Sequence, residues 1–172
     1  VRTHYPETRG AEIQVMKQES RTNLDRPVEV HVPKFLEEIV AEVTLQARQS
    51  PDVSQVSGVS VRASIANYET LIAAAERRAL LVGEDQAVPR ITDLPALYAS
   101  MGGKIELEYA GTEKGESEII EAITHRAVKI VFDELLDDSD VAPIVKAFGE
   151  GWKVEVGDRL PSKEYTEGVD SI

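Results

Sequence analysis

The side chains in this chain that could carry chemistry are few, and most are badly spaced for it. There is no cysteine, which removes thiol nucleophiles, iron–sulfur ligation and cysteine-based zinc sites. His4, His31 and His125 are the three histidines, and no two stand a few residues apart as paired zinc ligands do, so they read as surface histidines and no metal site is expected. The acidic run Asp133-Glu134 and Asp137-Asp138-Ser139-Asp140 lacks the central glycine and final glutamate of a calcium loop and reads as a solvated helix end. Glu37 and Glu38 are adjacent on a helix, where neighbours point about 100° apart, so they cannot share one substrate. No phosphate loop is present: Gly103-Lys104 is followed by Ile105, and Tyr98 stands where the first glycine would have to be. Neither a Gly-x-Ser-x-Gly elbow nor a His-Glu-x-x-His pair occurs. No catalytic residue is assigned, and the chain alone is expected to hydrolyse nothing.

One residue is placed for recognition. In Ser57-Gly58-Val59-Ser60-Val61-Arg62 a Gly/Ser-rich turn runs into a long helix, with an arginine at its beginning. A helix start aims a side chain, and a guanidinium fork grips phosphate oxygens, so Arg62 could present a cation to an anion. The plainer reading is that Arg62 decorates a helix start.

The elements that must position it follow from periodicity. Phe35, Leu36, Ile39, Val40, Val43 and Ala47 recur at steps of three and four, predicting a helix over 34–49. A second, over 61–82, places Ile65, Tyr68, Leu71, Ile72, Ala75, Ala79 and Leu80 on one broad face and stops at Gly83. Thr92 is the expected N-cap of a helix over 93–101 closed by Gly102-Gly103, and Ile119, Ile120, Ile123, Ala127, Ile130 and Val131 predict another over 116–136. Shorter helices are read in 11–20 and 143–148. Residues 28–32 alternate but lie between Pro27 and Pro33, and read as an extended connector rather than a paired strand. Residues 104–109 alternate strictly, as do 152–156, and these two are expected to pair as a ribbon covered by the helix over 116–136. Gly111 to Gly115 reads as a turn, and beyond Gly157 the sequence reads as turn-rich, ending in disorder.

The fold class is therefore mostly α, an antiparallel helical bundle with a small β appendage. The chain divides into an extended lead-in with a short helix over 1–33, a helical unit over 34–103, and an appendage of strand, long helix and tail over 104–172. Its 172 residues suffice for a core, and 42% hydrophobic with 29% charged fits neither a disordered tail nor a membrane protein. No apolar run approaches the roughly 18 residues of a membrane span, and no signal peptide is read, so the cytoplasm is the expected compartment. Acidic residues outnumber basic ones 31 to 19, a net charge of −12, which disfavours direct binding to nucleic acid. The start at Val1 rather than methionine suggests a piece of something longer.

At Gly58-Val59-Ser60-Val61-Arg62, in the helix carrying Leu71, Ile72, Glu76, Arg77 and Ala79, and at Val88-Pro89-Arg90-Ile91-Thr92-Asp93-Leu94, the sequence resembles the C-terminal helical lid of AAA+ ATPases. The branch is that of the magnesium chelatase ATPase subunit and the MoxR-like proteins. More narrowly, Arg2-Thr3-His4-Tyr5-Pro6 and Gly103-Lys104-Ile105-Glu106-Leu107 look like a bacterial magnesium-chelatase-like group. The resemblance spans about residues 1–136. It implies a lid packed on a nucleotide-binding core encoded upstream, which would hold ATP and Mg and assemble as a homo-oligomer around a client left unassigned. It also implies that Arg62 is the sensor-2 arginine reaching the nucleotide phosphates, although the chelatase subunits place theirs closer to the glycine than Arg62 stands to Gly58. The competing expectation is a stand-alone helical protein-binding module.

Overall fold

The structure is a computed structural model, and it describes residues 4–21, 26–54, 56, 58–108, 115–157 and 159–167. It is mostly helical. Helix α1 (Arg9–Glu19) opens on Thr8, whose hydroxyl accepts from the Ala11 amide at 3.2 Å. Helix α2 (Lys34–Gln49) follows Pro33, and Pro51 lies just beyond its end. Helix α3 (Val61–Val82) starts at the cap residue Ser60 and ends at Gly83, whose φ of 75° is the left-handed conformation that favours glycine. Helix α5 (Glu116–Leu135) is the second long one.

α2 is the hub, packed against α1, α3 and α5. An amphipathic stripe is therefore too modest a description of it: Leu36, Ile39, Val40, Val43 and Ala47 are buried as expected, but so are Ala41 and Thr44 on its other sides, while Phe35 is exposed. On α3, Tyr68, Leu71, Ile72, Ala75 and Ala79 face the core, but Leu80 does not and is 55% exposed. From α5 come Ile119, Ile120, Ile123, Ala127 and Val131.

The β structure is small and lies elsewhere than the alternation suggests. Residues 28–32, read as an unpaired connector, contain strand β1 (Glu29–Val30), which pairs in parallel with β2 (Gln86–Ala87). The prolines stand outside the two paired residues, so no ladder donor is lost, and α2 and α3 form the crossover a parallel pair requires. The expected ribbon between 104–109 and 152–156 does not form. Over 104–108 the extended chain meets the loop after α2: Val53 bridges Leu107, Ser54 N–H donates to Glu106 O at 2.8 Å, and Glu108 N–H to Asp52 O at 3.0 Å. Alternation did choose the faces, since Ile105 is buried and Glu106 exposed. Residues 152–156 form no strand. Tyr109 and most of the turn read at 111–115 lie outside the described residues, as does the end of the tail.

Three local boundaries also shift. The helix expected over 93–101 is a 3-10 helix (Ile91–Ala96) followed by α4 (Leu97–Met101), and its N-cap is Arg90 rather than Thr92, with the Asp93 carboxylate accepting from the Arg90 N–H at 2.8 Å. The acidic run after α5 begins a new helix, α6 (Asp138–Gly149), with Asp137 accepting from the amides of Ser139 and Asp140. Both amide bonds favour the carboxylate and, with the Ser139 hydroxyl, hold Asp137 below its ordinary pKa. The tail read as turn-rich carries α7 (Ser162–Glu167), which returns to the body: Arg90 donates to Leu160 O at 2.8 Å and Ser162 Oγ at 2.9 Å, and its guanidinium lies 4.6 Å from the Tyr165 ring centroid.

Beneath that anchor, Arg78 of α3 is 2% exposed and reaches Asp93 Oδ2 and Val88 O at 2.8 and 2.7 Å. This ties the far end of α3 to the 3-10 helix. Asp93→Ala is expected to cost about 3–5 kcal/mol, because it strands a buried guanidinium, and chemical denaturation will measure it. Tyr68 gives a second test. Burial first, and then the Glu37 carboxylate 3.4 Å away, push its phenol from 10.0 up to about 12. The fold thus favours neutral Tyr68: its contribution is complete below the unfolded pKa and lost as pH rises through the folded one. Stability should fall between about pH 10 and about pH 12, and a denaturant midpoint followed over that range should fall less in Tyr68→Phe.

Candidate functional site

Arg62 sits in the first turn of α3 and is exposed. Ser60 caps the helix, accepting from the Arg62 amide at 3.3 Å. Among the described residues its guanidinium has no hydrogen bond or ion pair, unlike those of Arg9, Arg26, Arg48, Arg78 and Arg90. A free cation at the positive end of a long helix is suited to an incoming anion.

What fixes this helix start is a buried polar network that the sequence reading missed. Glu12 of α1 is wholly buried. Arg48, near the end of α2, grips it bidentately, Nη1 to Oε2 at 2.8 Å and Nη2 to Oε1 at 3.0 Å. Ser64, two residues after Arg62 in α3, donates its hydroxyl to the same carboxylate, and its oxygen lies 2.9 Å from Thr44 Oγ1. The remaining reach of Arg48 goes to the turn itself: Nε donates to Val59 O at 2.8 Å and Nη1 to Pro6 O at 3.3 Å. Its guanidinium also lies 4.8 Å from the Tyr5 ring centroid. One arginine therefore joins the lead-in segment, α1, α2 and the residues leading to Arg62.

Gly58 closes this arrangement from the other side. Its φ is 64°, and a Cβ there would stand 3.2 Å from Tyr5 Cε2 and 3.4 Å from Tyr5 Oη. Glycine is thus required twice, by conformation and by the ring lying over it. No long-range signal in the sequence pairs Glu12 with Arg48. The available local clue was a glutamate standing where α1 turns its buried side, next to the buried Met16 one turn on.

The other sequence candidates do not converge. His4 and His31 are exposed on separate segments, and His125 lines a groove between α5 and the 3-10 helix. Among the described residues no three His, Asp or Glu side chains come together as a metal site would need. Glu37 and Glu38 part as expected, Glu37 to Lys17 at 2.7 Å and Tyr68, Glu38 to Lys34 at 3.6 Å. Glu134 faces away from the acidic run and takes two hydrogen bonds from Arg9, which holds its carboxyl below the usual range. The exposed guanidinium offers one charge-assisted contact to a phosphate or carboxylate.

Gly58→Ala is expected to destabilise the chain by about 1–2 kcal/mol, the cost of a left-handed non-glycine residue, and to speed amide hydrogen exchange over 59–64 before the core opens. Compared with known proteins, the chain matches no protein family, no curated protein and no solved structure.

Proposed function

We propose that this chain is the helical lid of an AAA+ ATPase of the magnesium chelatase and MoxR-like branch, with Arg62 as the residue that answers to the nucleotide. The observation that supports it is the unpaired Arg62 on a helix start braced from behind by the Glu12–Arg48 network. A guanidinium kept on the surface without a partner, at a capped and anchored helix end, is suited to a contact made outside this chain. The reading also accounts for the missing chemistry. ATP and Mg would be held by a core joined to this chain, and Arg62 would supply one charge-assisted contact to a phosphate. Nucleotide state would then be felt as a pull on α3, and through its packing on the rest of the bundle. No described helix is long and apolar enough to cross a membrane.

A second reading is favoured by one observation. Between the 3-10 helix, α4 and α5 lies an open groove of about 430 Å³, lined by Ile91, Leu94, Tyr98, Ile120 and Val128 among others. Such a surface suits a stand-alone protein-binding module.

The two readings separate on Arg62. In the protein joined to its nucleotide-binding core, Arg62→Ala should weaken ATP turnover or nucleotide-dependent assembly by roughly 1–3 kcal/mol, the scale of a lost hydrogen bond to a charged group. The thermal midpoint of the 172-residue chain itself should not move, and that chain should show no ATP turnover. Unfolding of the chain on Arg62→Ala would make the residue structural and overturn the lid reading.

A further inference from the structure

The C-terminal strap, residues 159–167 with α7, lies on the body without burying a residue of its own. Residues 150–161, which join α6 to α7, hold no helix or strand among the described ones. What holds the strap is a set of polar contacts to two side chains of the body. Arg90 donates to Leu160 O at 2.8 Å and to Ser162 Oγ at 2.9 Å, and its guanidinium stands 4.6 Å from the Tyr165 ring centroid. Glu84 accepts from the Ser162 amide at 2.5 Å and from its hydroxyl at 3.1 Å. Among the described residues every hydrogen bond of the Arg90 guanidinium goes to the strap, and beneath it Arg90 is 8% exposed.

The two anchors are fixed at the backbone by bonds that do not involve the strap. The Arg90 amide donates to Asp93 Oδ2, and Asp93 is itself gripped by the buried Arg78; the Glu84 amide donates to Ala79 O at 2.8 Å, where α3 ends. Body and strap therefore meet as a prepared surface and its ligand. We infer that Arg90 and Glu84 form a peptide-docking site, filled here by the chain's own strap, which competes with a partner polypeptide of the same pattern. That pattern is a carbonyl for Arg90, a serine or threonine two residues on, and an aromatic ring three residues after that. The hydroxyl is read twice, as acceptor from Arg90 and donor to Glu84. Pro161 O accepts from the Tyr165 amide at 3.0 Å, and the helical turn so closed carries the ring to the guanidinium. The anchors pair one cation with one anion, so recognition falls on this hydrogen-bond pattern rather than on the partner's net charge. The strap is displaceable because such bonds exchange with water at small net gain, while ordering the strap and its link costs conformational entropy. It is an autoinhibitory contact, and the inference does not rest on the lid reading.

Fluorescence anisotropy of a labelled synthetic peptide with the sequence of residues 159–167, titrated with the 172-residue chain, tests it. Ser162→Ala combined with Tyr165→Ala in the chain loosens the strap and should tighten binding of the peptide at least tenfold over the wild type. Adding Arg90→Ala to that variant should abolish the gain, with the thermal midpoint of the core unchanged. In the wild type the Ser162 and Tyr165 amides should exchange hydrogen well before those of α3, since the strap opens without the core. No binding to the loosened chain, equal binding to both chains, or binding indifferent to Arg90→Ala overturns the proposal. So does a lowered midpoint on Arg90→Ala, or strap amides that exchange as slowly as those of α3, because the contact would then be part of the fold.

Discussion

A carboxylate with no access to water has to be matched by a cation and filled with hydrogen bonds, or it unfolds the protein that buries it. Glu12 is such a group, and the arrangement of the N-terminal half follows from satisfying it. Two arginine nitrogens and a serine hydroxyl converge on its oxygens, and they come from α2 and α3. The pair allows one relative placement of three helices, since the Arg48 fork must meet Glu12 and still reach Val59 and Pro6. Apolar packing alone would tolerate sliding by a fraction of a turn. This network does not, and the position of Arg62 inherits its precision.

A second buried pair does the same at the other end of α3. Arg78 and Asp93 connect the helix to the 3-10 segment, and Asp93 also caps that segment through the Arg90 amide. Arg90, so positioned, extends outward to hold the C-terminal strand of chain at Leu160 and Ser162, where Glu84 accepts from the Ser162 amide and hydroxyl. α3 is thereby held at one end by the Ser64 hydrogen bond to Glu12 of the Glu12–Arg48 pair and at the other by its own ion pair to Asp93, with an apolar middle of Leu71, Ile72 and Ala75 between them. The helix is thus fixed to the rest of the bundle at both ends. That property suits a proposed sensor of nucleotide, in which a contact at Arg62 has to be felt elsewhere.

The molecule also divides by burial. Among the described residues, the buried apolar side chains all come from the chain up to the end of α5, whereas α6 and α7 contribute none. The C-terminal segment is tied back by polar contacts at Leu160 and Ser162 and carries an exposed apolar stripe on α6.

By itself the sequence determined the long helices, because a stripe recurring at three and four residues admits one regular solution, and it determined the end of the longest where Gly83 acts through the local backbone. It also placed Arg62 at a helix start. The short strands were beyond it: a two-residue parallel pair at 29–30 and 86–87 has no period to read, and alternation at 104–108 shows which face of an extended segment turns inward but not what it meets. The ion pairs Glu12–Arg48 and Arg78–Asp93 were equally hidden, since charged residues on a helix are usually solvated and only packing reveals which are enclosed. Local periodicity thus reports a residue's relation to its own element. Which two elements share a charge is decided by the tertiary fold, where burial makes that pairing obligatory.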